Sequence, residues 1–452
     1  MAWRASVRRF PLLRVGLGVS ATAALASRNR IYSDGEVDPP EKPREEALNL
    51  MDDKFAWGNS IRYLGNQAPD GIARIFWCSR FATRIRILSQ GPRTMLSLFE
   101  GDFVYHSNIA DVVAHNIWTN VENLFKLYQT DLSTPQPVES IQEPHPPPET
   151  IRSVLSNAVS YADRFVIDYF LGRVFSTSTP RYAADAMRAS ASSCQLSALY
   201  DKDASLLHIV SLGNMRAILG RPRPPAEDGS VMYDVHVLSV DHSPNNPDER
   251  DRVQALHKDE ELFEDGTFLG RPYTRALGDG RGKWTVKEQD RLHKDYLAPP
   301  PDPRVQTPPY VSADPDITSI KIESGDFLVM SSSWVSECLT NEEVVGLVGA
   351  WMKQHGENIH ASFEDVKPDP APGPALEAED LPVKLKEDRT TFFRRWGVPK
   401  RFFNSEPNPT VHIAHNAMGG ADANLRQALL EMAPVDSSGN TKSLAVAIMF
   451  FE

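Results

Sequence analysis

Two early stretches of the chain place apolar residues at the spacing of an amphipathic helix. The first runs from Asn108 to Gln129, and the second runs from Ile151 to Gly172. Apolar side chains that recur three and four residues apart form one face of a helix. A proline-rich stretch, TPQPVESIQEPHPPPE, separates the two. The pattern therefore predicts two long helices joined by a surface loop.

Short apolar runs typical of strands fill the middle and the end of the chain. LLHIVSL and MRAIL flank Gly213-Asn214 and predict a hairpin with a two-residue turn. Further strands are predicted at VHVLSV, ITSIKIE, FLVMS and the C-terminal LAVAIMFF. Strands separated by helical stretches favour an α+β fold with sheets inside and helix pairs outside.

The C-terminal apolar run also bears on domain organisation, because a strand at the very end needs a partner earlier in the chain. Residues 60–452 are therefore predicted to form one domain, preceded by an acidic linker over residues 34–59. Proline-rich or acidic inserts near residues 130–150, 297–309 and 356–385 are predicted to be surface loops.

The first 33 residues differ from the rest, with six arginines, no acidic residue and a Ser/Ala-rich apolar stretch. This composition is typical of a mitochondrial transit peptide, and it predicts a mitochondrial protein, in the matrix rather than the intermembrane space. The alternative is a bipartite presequence with an inner-membrane anchor. Its apolar part, Pro11–Ala26, is interrupted by Arg14 and is short for a span of about 20 residues. Membrane association is expected only through this segment.

Charge and cysteine content exclude two classes of function. The net charge is −12 and no Lys/Arg run in the body of the chain suggests a nucleic-acid-binding face, so no nucleic-acid partner is expected. The three cysteines, Cys78, Cys194 and Cys338, are widely spaced and include no CxxC pair. Neither a disulfide framework nor a zinc site is indicated, and a reducing compartment fits.

Three short motifs have generic functional interpretations that their context weakens. HIAH, with His412 and His415, lacks the Glu of a metalloprotease helix, so a helix packed in the core is favoured. LGDGRGKW lacks the Ser or Thr that follows the lysine of a phosphate-binding loop. The serines at 331–333 are not in a GxSxG elbow, so they are predicted to satisfy backbone groups at a strand end.

Several segments, in order, resemble one family. LHIVSLGNMRAILGR is similar to the strand–turn–strand element of the 2C-type (PPM-type) metal-dependent protein phosphatases. YTRALGD resembles their SRALGD motif, with Arg275 and Asp279 in place. LSVDHSPNNPDERDRV resembles the family segment that lies between these two motifs. TPPYVSADPDITSIKI, GDFLVM, LTNEEVVGLVGAWM, VHIAHNAMGG and IMFF resemble its fungal mitochondrial members related to pyruvate dehydrogenase phosphatase. The resemblance covers roughly residues 60–452.

The resemblance implies a four-layer αββα sandwich with two divalent metals held by carboxylates between the sheets. In the family a metal-bound hydroxide attacks a phosphoserine or phosphothreonine while the metals neutralise developing charge. Mg²⁺ and Mn²⁺ prefer carboxylate and water ligands. The expected activity therefore depends on whether those carboxylates are present.

The family's Phe-Asp-Gly-His-Gly element falls on residues 99–103. Glu100 then stands for the bridging Asp, Gly101 keeps its glycine, and Asp102 stands for the His that is thought to help the leaving group. The acidic element near the N-terminus is placed on Pro69 and Asp70.

The remaining metal-binding positions carry other residues. Asn214 replaces the Asp associated with a further metal, and Ser333 replaces a metal-binding Asp, with Trp334 at the following Gly. The final acidic pair falls on Lys442 and Ser443. Glu100 and Asp70 retain negative charge, but Lys442 adds a positive one, so two divalent cations would be left nearly uncompensated.

The first hypothesis is therefore a mitochondrial pseudophosphatase that serves as a regulatory or binding module, with no metal cofactor and a protein partner. Lys442 is expected to pair with Glu100. The alternative is an active phosphatase for a mitochondrial phosphoprotein such as pyruvate dehydrogenase, with Glu100, Asp70 and Asp279 holding one Mg²⁺ or Mn²⁺. Against this, Asp279 is expected to pair with Arg275 or a backbone amide. A structural subunit of a mitochondrial complex is the third hypothesis.

Overall fold

The computed structural model describes residues 62–64, 72–80, 83–101, 109–130, 145–176, 190–356, 375–431 and 443–452. Several predictions lie outside these residues: the transit peptide, the linker, most of the inserts near 130–150 and 356–385, and the candidate residues Asp70, Asp102 and Lys442. No described helix is both long and apolar enough to cross a membrane.

Sheet I is an antiparallel sheet of six strands. Its order is β1 (Arg62–Leu64), β2 (Ile72–Arg80), β14 (Leu444–Phe451), β13 (Phe327–Ser331), β7 (Arg216–Pro222) and β8 (Tyr233–Val237). The C-terminal strand β14 lies between β2 and β13, which confirms that LAVAIMFF finds its partner earlier in the chain. This strand is buried along its whole length because it is flanked on both edges and covered on both faces.

Sheet II is also antiparallel and holds β12 (Asp316–Lys321), β6 (Leu206–Leu212), β5 (Ser192–Asp201), β4 (Arg93–Glu100) and β3 (Thr83–Gln90) in that order. A short strand, β11 (Leu277–Gly278), also pairs with β5. Outside both sheets, β9 (Phe263–Glu264) and β10 (Thr267–Phe268) form a two-stranded ribbon.

The two predicted amphipathic helices are present as α1 (Ile109–Thr130) and α2 (Pro148–Ser176). The helices that follow are α3 (Pro247–Leu256), α4 (Gly280–Lys283), α5 (Val286–Tyr296), α6 (Ser333–Cys338), α7 (Asn341–His355), α8 (Phe392–Trp396), α9 (Pro409–Ala417) and α10 (Ala423–Glu431). Helix α7 begins at a capping box in which Thr340 and Glu343 satisfy each other's backbone amides.

Three apolar layers show how these elements stack. Side chains of α1 and α2 pack on one face of sheet II, where Val121 and Leu155 belong to the same buried cluster as Phe99. The opposite face of sheet II packs against sheet I, and helices α6, α7 and α9 cover the outer face of sheet I. Each strand contributes alternate side chains to the apolar layers on both faces of its sheet, since successive side chains of a strand point to opposite faces. The observed fold is therefore the predicted four-layer αββα sandwich.

The hairpin predicted around Gly213-Asn214 is wrong. Strand β6 pairs with β5 and β12 in sheet II, whereas β7 pairs with β13 and β8 in sheet I. The short turn therefore carries the chain from one sheet to the other. Gly213 has φ +107°, and a Cβ there would lie 2.3 Å from the Cys194 sulfur. A glycine is needed because the crossing passes directly over β5.

Candidate functional site

Two candidate metal positions meet at one end of the space between the sheets. Glu100 ends β4 of sheet II, and Ser333 begins α6 immediately after β13 of sheet I. The Ser333 backbone N–H donates to Glu100 Oε2 at 3.2 Å, and the Ser333 hydroxyl lies 3.4 Å from Glu100 Oε1. The carboxylate of one sheet is thus hydrogen-bonded to the first residue of the helix that follows the other sheet.

This contact is electrostatically favourable for a charged Glu100. The first backbone N–H groups of a helix have no partner within the helix, and a carboxylate that accepts from them forms a charge-assisted hydrogen bond. The longer side chain of Glu, compared with Asp, lets the carboxylate cross from the end of β4 to α6. Both oxygens of Glu100 are therefore directed at Ser333.

The neighbouring serine has the structural role that the sequence predicts. Ser332 Oγ accepts a hydrogen bond from the Ala445 N–H at 3.1 Å, and the Ser332 N–H donates to the Ala445 carbonyl at 2.9 Å. These bonds connect the end of β13 to the start of β14. The serine cluster thus satisfies backbone groups at a strand end and supplies a donor to Glu100.

Trp334, which stands where the family has a glycine, points away from this end of the inter-sheet space. Its side chain is buried in the apolar layer between sheet I and the outer helices, and its ring meets the Phe392 ring edge-on at 6.2 Å. The indole is therefore part of the core on the helix side of sheet I and does not fill the space between the sheets.

Gly101, Cys194 and Asn214 lie next to Glu100. Gly101 has φ +132°, and a Cβ there would lie 2.5 Å from the Ser192 carbonyl oxygen, so only glycine fits. Cys194 faces Glu100 in the β4–β5 register, and its thiol is 3.4 Å from Asn214 Oδ1. Burial, with a smaller contribution from the Glu100 charge, raises the pKa of Cys194 to about 12, so the thiol stays protonated and donates to Asn214.

Sequence reasoning missed Cys194 as a site residue because no motif contains it. The signal that could have found it is the strand register, which places it directly across from Glu100. The Asn214 amide in turn donates to the Pro272 carbonyl at 3.4 Å. Both the oxygen and the nitrogen of the Asn214 amide are therefore hydrogen-bonded to neighbouring residues.

Asp279 is held by a different arginine from the one expected. Arg271 donates to both of its oxygens, at 2.5 and 2.9 Å, whereas the prediction named Arg275. The Gly282 N–H donates to Asp279 Oδ1 at 3.0 Å, which confirms the expected backbone amide contact. Burial alone would raise the pKa of Asp279, but the Arg271 charge and these hydrogen bonds outweigh it and lower the pKa.

Arg275 pairs instead with Glu249 at the start of α3. Its Nη2 lies 2.5 Å from Glu249 Oε1, and Arg252 and the Thr274 hydroxyl donate to the same carboxylate at 2.8 and 2.5 Å. Burial opposes ionisation of Glu249, yet these three donors lower its pKa well below the usual range. Arg271 and Arg275 are four residues apart, and the backbone turn between them determines which carboxylate each guanidinium reaches.

The described residues do not fit a metal centre of the family's kind. They contain no group of three or more His, Cys, Asp or Glu side chains that could hold a metal ion. The oxygens of Glu100 face Ser333, and those of Asp279 face Arg271 and the Gly282 amide. The expected pairing of Lys442 with Glu100, and any contribution of Asp70 or Asp102, fall outside the part of the chain that the structure describes.

The other motifs have structural roles. Lys283 of LGDGRGKW donates to Asp163 at 2.7 Å and to the Ala276 carbonyl at 2.9 Å. Its ammonium is therefore already hydrogen-bonded within the protein. His412 and His415 lie on helix α9 in the core, as predicted, and His415 is hydrogen-bonded to Glu406 at 2.7 Å.

Comparison with known proteins gives a consistent family. The protein phosphatase 2C family model matches residues 149–369. A protein phosphatase 2C homolog of Schizosaccharomyces pombe is 28% identical, over 66% of this chain and 62% of the relative. The mitochondrial [pyruvate dehydrogenase [acetyl-transferring]]-phosphatase 1 of Saccharomyces cerevisiae is 28% identical, over 68% of this chain and 54% of the relative. The chain thus spans less than two thirds of the length of either relative.

Among solved structures, the serine-threonine phosphatase 2C of Toxoplasma gondii aligns with 87% of this chain and 99% of its own, at 14% identity and a TM-score of 0.46. The matched family model and the two yeast relatives show that a protein phosphatase 2C domain is present in the chain.

Proposed function

We propose that this protein is a catalytically degenerate member of its family, a pseudophosphatase that acts as a regulatory or binding module in mitochondria. The observation that carries this proposal is the contact between Glu100 and Ser333, because these residues stand at two metal-binding positions of the family and bond to each other. A hydroxyl replaces a carboxylate, and the remaining carboxylate is already hydrogen-bonded.

Charge balance supports the same proposal. Two divalent cations need several carboxylates nearby, since desolvating uncompensated charge costs several kcal/mol even after relaxation. Asp279 is neutralised by Arg271, so it adds no net negative charge to the region. The neutral side chains of Ser333, Asn214 and Cys194 add none either.

The mitochondrial part of the proposal rests on the N-terminal composition and on the relatives. Six arginines without an acidic residue in the first 33 positions are typical of a transit peptide. The Saccharomyces cerevisiae relative and a human relative, 31% identical over 32% of this chain and 29% of its own length, are both titled mitochondrial pyruvate dehydrogenase phosphatases. A mitochondrial phosphoprotein is therefore the proposed class of partner.

A second candidate function is an active metal-dependent serine/threonine phosphatase. Its support is that Glu100 and Asp279 are still acidic and that Gly101 keeps the close backbone approach of the family motif. For activity, Glu100 would have to exchange its Ser333 donors for a metal ion, and Asp70 would have to complete the ligand set.

A phosphopeptide hydrolysis assay separates the two functions. With Mg²⁺ or Mn²⁺ in excess, we expect the purified full chain to release no more phosphate than a protein-free solution, because the metal-bound nucleophile of the family is missing. Glu100→Ala and Asp70→Ala serve as matched variants and should give the same background. Metal-dependent turnover that both variants abolish would establish the active alternative.

A further inference from the structure

A basic segment surrounds helix α8. Residues 384–401, KLKEDRTTFFRRWGVPKR, hold seven Lys or Arg and two acidic residues, whereas the whole chain carries a net charge of −12. Four of the seven are ion-paired, and within the described part of the chain the remaining positive charge lies on Lys384, Arg394 and Arg395. Unpaired positive charge on a surface attracts negatively charged groups.

The core holds α8 in a fixed position. Phe393 is buried, and the Phe392 ring contacts the Trp334 ring edge-on at 6.2 Å, so the helix is packed on α6. Arg394 donates twice to the Thr390 carbonyl, at 2.9 and 2.6 Å, and Lys400 pairs with Glu343 at 2.6 Å. Side chains on the outer side of α8 are thus presented on a rigid support.

The exposed residues of α8 are two arginines followed by an aromatic residue. Trp396 keeps 47% of its surface exposed, and Arg394 and Arg395 are exposed as well. The Arg394 side-chain bonds are to a neutral carbonyl, and within the described residues the Arg395 guanidinium has no ion pair or hydrogen bond. Both positive charges therefore remain uncompensated by the described part of the chain.

We propose that Arg394, Arg395 and Trp396, the Trp396 patch, bind an acidic segment of a partner protein. Trp and Arg are the residue types that most often carry binding energy in protein interfaces. An apolar side chain of the partner lies against the indole, and its carboxylates pair with the two guanidinium groups. This inference deepens the proposed function, because it gives the binding module a docking surface and its partner a chemistry.

A protein segment fits this patch better than an anionic membrane. One exposed indole on a five-residue helix offers little apolar surface for insertion into lipid. Each basic residue near an anionic membrane contributes about 1 kcal/mol, so two arginines bind weakly on an otherwise acidic chain. A protein partner can add its own shape complementarity around the indole.

Fluorescence anisotropy with a labelled peptide of alternating Asp, Leu, Glu and Phe tests the proposal on the full chain. We expect saturable binding that weakens about tenfold or more in Trp396→Ala and in the double variant Arg394→Glu/Arg395→Glu. Arg389→Glu is the matched control, because this exposed arginine of the same segment already pairs with Glu387 and should bind as the wild type. Unchanged thermal unfolding of the variants excludes a folding defect.

Three outcomes would overturn the proposal. The first is equal peptide affinity in the wild type and the patch variants. The second is binding to phosphatidylserine vesicles without binding to the peptide, which would make the patch a membrane surface. The third is peptide binding only after removal of residues 357–374, which hold four acidic residues and one lysine, since the patch would then serve a segment of its own chain. None of these outcomes depends on metal binding or turnover, so failure here is distinct from failure of the pseudophosphatase proposal.

Discussion

Replacing Arg271 with leucine is expected to lower the free energy of unfolding by about 3–5 kcal/mol near pH 7, because it leaves the buried Asp279 carboxylate without its charged partner. The Asp279 side chain is only 4% exposed, so water cannot replace the guanidinium. The remaining donors, Gly282 N–H and the Tyr273 hydroxyl, are neutral. Urea denaturation of the wild type and the variant measures the difference.

The pH dependence gives this prediction a second readout. In the wild type the pKa of Asp279 is lowered from its ordinary value of 3.8, so its contribution to stability is present above that value and is lost as the pH falls through the lowered pKa. In Arg271→Leu, burial dominates and raises the pKa of Asp279. The variant therefore gains stability relative to the wild type as the pH falls from about 7 towards 4.

The double variant Arg271→Leu/Asp279→Asn is the matched control. Asparagine retains an oxygen that accepts from the Gly282 N–H but carries no charge, so the double variant should recover most of the stability that the single variant loses. A single variant within about 1 kcal/mol of the wild type, or a double variant as unstable as the single one, would show that the Arg271–Asp279 pair does not support this loop.

Replacing Trp334 with the glycine that the family has at this position is expected to be more damaging still. The side chain is 1% exposed within the layer between sheet I and the outer helices. Truncating a buried Trp costs about 3–5 kcal/mol, and a glycine inside a helix adds about 1 kcal/mol. Restoring the family residue should therefore cost about 4–6 kcal/mol in the free energy of unfolding.

Trp396→Gly provides the comparison for this variant. It makes the same substitution in a helix, but its ring is 47% exposed, so it should cost about 1 kcal/mol. Chemical denaturation of both variants tests the difference. If Trp334→Gly were as stable as Trp396→Gly, the Trp334 indole would not be an integral part of the core. The replacement of the family's glycine by Trp334 would then make no contribution to stability.

The layered fold was predictable because the spacing of apolar residues along the chain indicates the helices and strands directly. Helices α1 and α2 follow the helical spacing, and LAVAIMFF matches β14 residue for residue. The separation of β6 and β7 into different sheets was not predictable in the same way. Apolar runs on both sides of a short turn identify two strands, but they do not reveal that each strand belongs to a different sheet.

The candidate site was predictable only in part, for a related reason. Motif positions assigned Glu100 and Ser333 to one site, and the structure brings the two side chains into contact although they are 233 residues apart in sequence. Asp279 has a left-handed backbone, with φ +53°, and its carboxylate accepts from Arg271. Sequence spacing favoured the nearer Arg275, because it does not report backbone direction.

Calorimetric titration of the full chain with Mn²⁺ tests the central claim most directly. If the Glu100–Ser333 contact stands in place of a metal centre, we expect no saturable heat of binding up to about 1 mM Mn²⁺, in the wild type and in Glu100→Ala alike. Saturable binding of Mn²⁺ to the wild type that Glu100→Ala abolishes would contradict the account and would favour an active metal-dependent phosphatase.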